Sequence, residues 1–261
     1  MQITNNQRPS VLCIGGLDPS GGAGLQADIE AIAYCGGHAL PIATCLTAQS
    51  SHKAYSINAV AKEIIQQQAK ILLEDMKVSA CKIGVIPNPT IALVISSILE
   101  QLTDIPIVLD PVFSASHGVS FADAATLNTI RDNILPKVTV ITPNHTELNQ
   151  LIEGDQSIAV KGVKLCQSGP DYALVTGADA TTDKITNIFA NAEGVIKNYA
   201  YPRLPNSYHG SGCTLSSALA CYLAMSIDIS KAMEQAQDYT MQTLINADMP
   251  GYGQHIPRRV I

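Results

Sequence analysis

The chain has 261 residues, of which 46% are apolar and 15% charged, with a formal net charge of −6 and a pI near 5.4. That length suits one α/β domain over residues 1–261, and the apolar fraction can fill a sizeable core. The acidic balance and the lack of any basic run speak against a nucleic-acid surface.

Strand-like apolar runs fall at residues 11–14, 40–46, 81–85, 105–109, 138–141 and 172–176, each bounded by Gly, Pro, Asn or Asp. Helical spacing lies between them, as in Leu25, Ile29 and Ile32, in Ala61, Ile64, Ile65, Ile71 and Leu72, and in Leu127, Ile130 and Ile134. The alternation predicts right-handed βαβ units and a parallel sheet covered on both faces. Runs 186–189 and 194–199, joined by Ala190-Asn191-Ala192-Glu193, predict an antiparallel hairpin at the sheet edge. The last apolar helix, with Leu215, Ala218, Leu219, Tyr222 and Leu223 on one face, contains Ser216 and Ser217 and is too short to span a bilayer. No repeat or linker divides the chain. Seven cysteines form no C-x-x-C pair, which together with the lack of a signal peptide reads as reduced thiols in a cytoplasmic protein.

Two glycine-rich segments carry the chemistry. The first, from Gly15-Gly16-Leu17-Asp18-Pro19-Ser20 through Gly21-Gly22-Ala23-Gly24 to Asp28, joins a strand to a helix. It is neither a Walker A loop nor the dinucleotide G-x-G-x-x-G, but its place suits a small ligand in an open α/β sheet. The second is His209-Gly210-Ser211-Gly212-Cys213-Thr214, which opens the last apolar helix. Gly210 and Gly212 let the backbone turn tightly, so that successive N–H groups, Ser211 included, converge on one anion. The helix N-terminus favours a phosphate there and should lower the pKa of the Cys213 thiol. The plainer reading is a glycine-rich helix start with an inert, buried cysteine. His52, His145, His209 and His255 are too scattered for a zinc site and read as solvated or locally bonded.

These motifs carry a resemblance. Gly-x-Asp-Pro-Ser-Gly-Gly-Ala-Gly-x-Gln-Ala-Asp is similar to the opening signature of the hydroxymethylpyrimidine/phosphomethylpyrimidine kinases of thiamine biosynthesis, a branch of the ribokinase-like superfamily. Leu46-Thr47-Ala48-Gln49, Lys82-Ile83-Gly84, Val108-Leu109-Asp110-Pro111-Val112, Ile141-Thr142-Pro143-Asn144 with Glu147, and the His209–Thr214 segment follow in family order over nearly the whole chain. The resemblance implies a three-layer α/β/α sandwich with a mostly parallel sheet and an antiparallel edge hairpin, and two ATP-dependent phosphorylations with Mg²⁺. Cys213 would be the general base of the first, taking the proton of a hydroxymethyl group. The second needs no base, because a phosphate monoester is already ionised near neutrality. Gly210, Ser211 and Gly212 would hold the transferred phosphate.

Gln49 would recognise an aminopyrimidine, its amide offering both a donor and an acceptor. Gly16, Ala23, Asp28 and Thr47 would share that pocket, with Val85 and Val112 as apolar walls. Asn144, Thr176 and Gly177 would lie on the nucleotide side, and Asp110 and Glu147 near the phosphates and metal. Each has a plainer alternative: valines in the core, Asp28 against its own helix start, Asp110 opening a turn, Glu147 on a helix surface. Departures from the family are Ser50-Ser51 after Gln49, Val85 in place of Met, Ser116 where a lysine is usual, and Gly177-Ala178-Asp179 in place of Gly-Gly-His. A pyridoxal/pyridoxine kinase is the runner-up, and a non-catalytic pyrimidine-binding protein the third reading. Relatives of this kind often pair, and the small charged fraction leaves apolar area for a homodimer.

Overall fold

The computed structural model describes residues 8–114, 121–180 and 182–260. The expected lysine position, Ser116, lies outside them. The nine strands among the described residues form one sheet in the order β3-β2-β1-β4-β5-β6-β7-β8-β9. Strands β1 (Ser10–Leu17), β2 (His38–Gln49), β4 (Val78–Ile83), β5 (Ile107–Leu109), β6 (Val140–Ile141) and β7 (Tyr172–Val175) run parallel. The expected hairpin is β8 (Lys184–Asn191) and β9 (Gly194–Pro202), antiparallel to each other, with β8 also antiparallel to β7. Its turn is closed by the Asn191 side chain, which accepts from the Glu193 and Gly194 N–H groups at 3.0 Å. The opposite edge carries a strand that the apolar pattern did not announce, β3 (Ala54–Ala59), antiparallel to β2. The sequence Ala-Tyr-Ser-Ile-Asn-Ala is half polar because an edge strand with a solvated side needs no apolar run.

Both faces of the sheet are covered, which is why the strands read as continuous apolar runs. Val11, Cys13, Ala80, Val108, Val140 and Leu174 pack against α1 (Gly24–Tyr34), α7 (Ser211–Ala224) and α8 (Ile229–Ile245). Leu12, Ile14, Cys81, Ile83, Leu109 and Ile141 face the other layer. That layer holds α2 (Lys62–Asp75), α3 (Pro89–Leu99), α4 (Ala124–Asn133), α5 (His145–Leu151) and α6 (Ile158–Gln167). Each fully buried Leu, Ile or Phe contributes about 1.5–3 kcal/mol. Side-chain caps start several helices: Asn88 accepts from the Ile91 N–H at 3.0 Å, ahead of Pro89, and Asp123 from the Thr126 N–H at 2.8 Å. No described helix is long and apolar enough to cross a membrane. The parallel strands all end on one side of the sheet, and α7 begins there.

Candidate active site

At those strand ends lies a cavity of about 660 Å³. Its lining unites residues from most of the chain: Gly16, Ala23, Thr47, Gln49, Val85, Asp110, Val112, Asn144, Glu147, Thr176 and the turn Gly210-Ser211-Gly212-Cys213. Two expected residues, Asp28 and Gly177, are not among its walls. The Gly177 N–H donates to the Asn187 side chain at 3.0 Å, while its neighbours Thr176 and Ala178 reach the cavity. Asp28 is wholly buried beneath the floor, accepting from Lys82 Nζ at 2.8 Å and from Ser217 Oγ at 2.6 Å. It serves the cavity through Lys82, and it does not pair with its own helix start.

The anion turn is built by backbone conformation. Gly210, the N-cap of α7, has φ of 84°, a region open to glycine but costly for other residues. The first helical bond runs from the Thr214 N–H to the Gly210 carbonyl at 3.0 Å. The Ser211, Gly212 and Cys213 N–H groups precede it and lack intrahelical acceptors. Gly212 is needed for a different reason from the one its sequence suggested. Its backbone is ordinary helix, and a Cβ there would meet Asp110 Oδ1 at 3.5 Å, an unstrained contact that narrows the space before the turn.

Opposite the turn, the loop from β1 to α1 is wound around Asp18. Asp18 Oδ1 accepts from the Ser20 N–H at 2.9 Å and from Ser20 Oγ at 2.8 Å. Its Oδ2 accepts from the Ala23 N–H at 2.9 Å and meets His209 Nε2 at 2.7 Å. Burial works to raise the Asp18 pKa, but the His209 and Ser20 hydrogen bonds outweigh it and hold the carboxyl below its ordinary value. His209 Nε2 also lies 2.8 Å from the Gln49 amide nitrogen, so the Asp18 and Gln49 side chains converge on one ring nitrogen of His209. This latch escaped the sequence reading because its ends are 191 residues apart; the signal was a histidine directly before the anion turn. The Thr47 hydroxyl donates to the Leu17 carbonyl at 3.0 Å, tying β2 to the end of β1. Val85 and Val112 stand in a small apolar cluster with Cys45 and Phe121, so one end of the cavity is apolar.

The floor is charged. Lys82, with a side chain 1% exposed, lies 2.8 Å from Asp28 and 3.8 Å from Asp110. Burial alone would lower its pKa, but Asp28, Cys213 and Asp110 raise it, so Lys82 is a standing cation. A lysine inside an apolar strand was the sequence signal for it. Asp110 is pushed up by burial, against the pull of Lys82, and its Oδ2 is buried without a hydrogen-bond partner. Glu147 closes a capping box with Asn144, the Glu147 N–H donating to Asn144 Oδ1 at 2.8 Å and the Asn144 N–H to Glu147 Oε2 at 2.9 Å. Burial and the nearby Asp110 raise the Glu147 carboxyl to about 8. Two half-suppressed carboxyls beside an orphaned oxygen are a fitting pair of ligands for a divalent cation that keeps most of its waters. Among the described residues no group of three or more His, Cys, Asp or Glu side chains could hold a metal ion by itself.

One expectation is reversed. The Cys213 thiol is not activated by the helix start: burial pushes it up to about 12, Lys82 and the Gly24 N–H work against this, and Asp110 and Asp28 work with it. The substitution Gly177-Ala178-Asp179 also acquires a role. Asp179 accepts from the His145 N–H at 3.3 Å and the Thr146 N–H at 2.9 Å, and so closes the start of α5. Arg203 braces the same corner through the Ala178, Ala180 and Thr182 carbonyls.

Comparison with known proteins gives the family and the fold. The family model described as phosphomethylpyrimidine kinase matches residues 18–258. A hydroxymethylpyrimidine/phosphomethylpyrimidine kinase of Streptomyces coelicolor is 31% identical over 237 residues, covering 88% of this chain and 87% of that protein. A probable chloroplastic thiamine biosynthetic bifunctional enzyme of rice is 30% identical over 90% of this chain, which spans only 44% of that longer protein. Among solved structures, phosphomethylpyrimidine kinase of Clostridium difficile superposes with a TM-score of 0.79 at 26% identity, over 91% of this chain and 100% of that one. The ADP complex of Bacillus subtilis pyridoxal kinase gives 0.87 at 22% identity, over 97% and 98%, a likeness of fold.

Proposed function

The chain belongs to the phosphomethylpyrimidine kinase family, and from that premise we propose that it works in thiamine diphosphate biosynthesis. It uses ATP to phosphorylate 4-amino-5-hydroxymethyl-2-methylpyrimidine and then converts the monophosphate to the diphosphate. The observation that carries this reading is that the α7 anion turn and the Gln49 amide open onto one cavity with apolar walls between them. Gln49, oriented by His209, reads the ring nitrogen and amine. Val85 and Val112 flank the ring. The N–H groups of Ser211, Gly212 and Cys213 stabilise charge on the transferred phosphoryl group, the largest contribution a protein makes to this chemistry. Asn144 and Thr176 form the nucleotide side.

Cys213 takes the proton of the attacking hydroxymethyl group. With its thiol near 12, thiolate is a minor species at neutral pH, so the first step gains from alkali. Asp110 and Glu147 would hold Mg²⁺, which when bound neutralises phosphate charge. The protein acts as a homodimer in the cytoplasm.

An ATP-dependent turnover assay with the pyrimidine, its monophosphate and pyridoxal in parallel tests this. Product from both pyrimidines is expected. Turnover of pyridoxal alone would make the chain a vitamin B6 kinase, and binding without turnover would make it a non-catalytic pyrimidine-binding protein.

A further inference from the structure

We infer that Arg259 is a positioning residue for phosphoryl transfer: its guanidinium locks the β1–α1 loop against the anion turn of α7. This rests on the kinase reading above. Arg259 lies one residue beyond the stretch matched by the family model, and its side chain is completely buried. The charge is met by one carboxylate, Glu30 Oε2 at 3.1 Å. The other bonds go to the two segments that build the cavity. Nη1 donates to the Gly21 carbonyl at 3.3 Å, Nη2 to the Gly22 carbonyl, and Nε to Thr214 Oγ1 at 2.8 Å. The Thr214 hydroxyl in turn donates to the Gly210 carbonyl at 2.8 Å. A continuous hydrogen-bonded path therefore joins the Asp18 loop, the guanidinium and the first residue of the turn.

Little slack exists along that path. A Cβ on Gly210 would overlap the Gly22 carbonyl oxygen and stand 2.9 Å from Arg259 Nη2, and one on Gly22 would overlap the His209 ring. Holding the C-terminal segment in place does not explain these contacts. That segment is secured separately, by Tyr239 Oη donating to the Arg259 carbonyl at 2.8 Å and by Arg258 Nε donating to Asp248 at 2.9 Å. The planar fork reaches acceptors on three elements at once, which an ammonium cannot reproduce. Phosphoryl transfer depends on placement, and an error of about 1 Å far from the chemistry costs about 10²-fold.

The test uses the full-length protein with Arg259→Met and Arg259→Lys. Both variants should lose about 10- to 100-fold in kcat in both phosphorylations, since the anion turn serves both, while KM for the pyrimidine stays within about threefold because Gln49 and the valines bind the ring. Hydrogen exchange, which needs no turnover, should quicken in peptides covering residues 18–24 and 209–214 and stay unchanged in the central strands. Full kcat in Arg259→Lys, or exchange that quickens throughout the sheet, would overturn the inference, as would failure of both variants to fold, because the guanidinium would then be a general staple. If wild type turns over neither pyrimidine, the kinase reading fails, whereas the exchange pattern still decides what Arg259 holds.

Discussion

At the scale of single residues, Cys213 and Glu147 show what a sequence conceals. Glycines before a helix announced the tight turn at the start of α7, because that signal is local. The ionisation of Cys213 is set first by burial and then by Lys82, Asp110 and Asp28, which arrive from three other elements, and the outcome is opposite in sign to the effect of the helix start. If the thiolate is the base, kcat for the first phosphorylation should rise about tenfold per pH unit between pH 7 and 9, and the second should stay nearly flat. Cys213→Ser should slow the first step by about 10²–10⁴ and spare the second. Equal losses in both would make the thiol a phosphate-positioning group. For Glu147 the sign runs the other way from an ordinary surface carboxylate. Its folded pKa of about 8 lies above the ordinary 4.5, so the proton it holds stabilises the fold at low pH, and that contribution is lost as pH rises from about 4.5 through 8. Glu147→Gln keeps the cap acceptor without the charge. Relative to wild type, its Tm should therefore rise between pH 5 and 8 in metal-free buffer, while its requirement for Mg²⁺ in turnover increases; a Tm difference that does not change with pH would show that Glu147 is already ionised.

Among the elements, legibility followed burial. The parallel strands were found because helices cover both faces, leaving apolar runs. The edge strand β3 was missed because four of its six residues are exposed, and β5 and β6 proved shorter than their apolar runs because pairing begins two residues later, at Ile107 and Val140. The start of α7 separates two glycines that the sequence treats alike. Gly210→Ala puts a side chain at φ of 84° and into the Gly22 carbonyl; it should lower stability by more than the roughly 1–2 kcal/mol of the left-handed conformation alone. Gly212→Ala meets only Asp110, at an ordinary distance, so its urea midpoint should match wild type while both phosphorylations slow. Equal destabilisation by the two changes would mean that Gly212, too, is held under strain.

For the whole molecule, alternation of strands and helices was enough to predict the layers, whereas contacts that join distant segments, such as Asp18 with His209 and Arg259 with Gly22, had no local pattern to reveal them. Leu17 and Leu46 are paired neighbours on β1 and β2, and they remain 41% and 49% exposed, with Tyr55 on the adjoining β3 at 60%. Leu17 also borders the cavity, so this apolar corner stands at the mouth of the site. Strands with one side of their ladder open need cover or charge to stay soluble, and among the described residues β3 has a single neighbour. A second copy seated on this corner would bury the leucines and shield the pyrimidine end from water. Light scattering at micromolar concentration should therefore give the mass of two chains, and Leu46→Glu, which places a carboxylate in the middle of that contact, should give the mass of one with its Tm within a few degrees of the dilute wild type. A monomeric wild type would assign the exposed corner to the cavity mouth alone, and a dimeric Leu46→Glu would move the interface to another face.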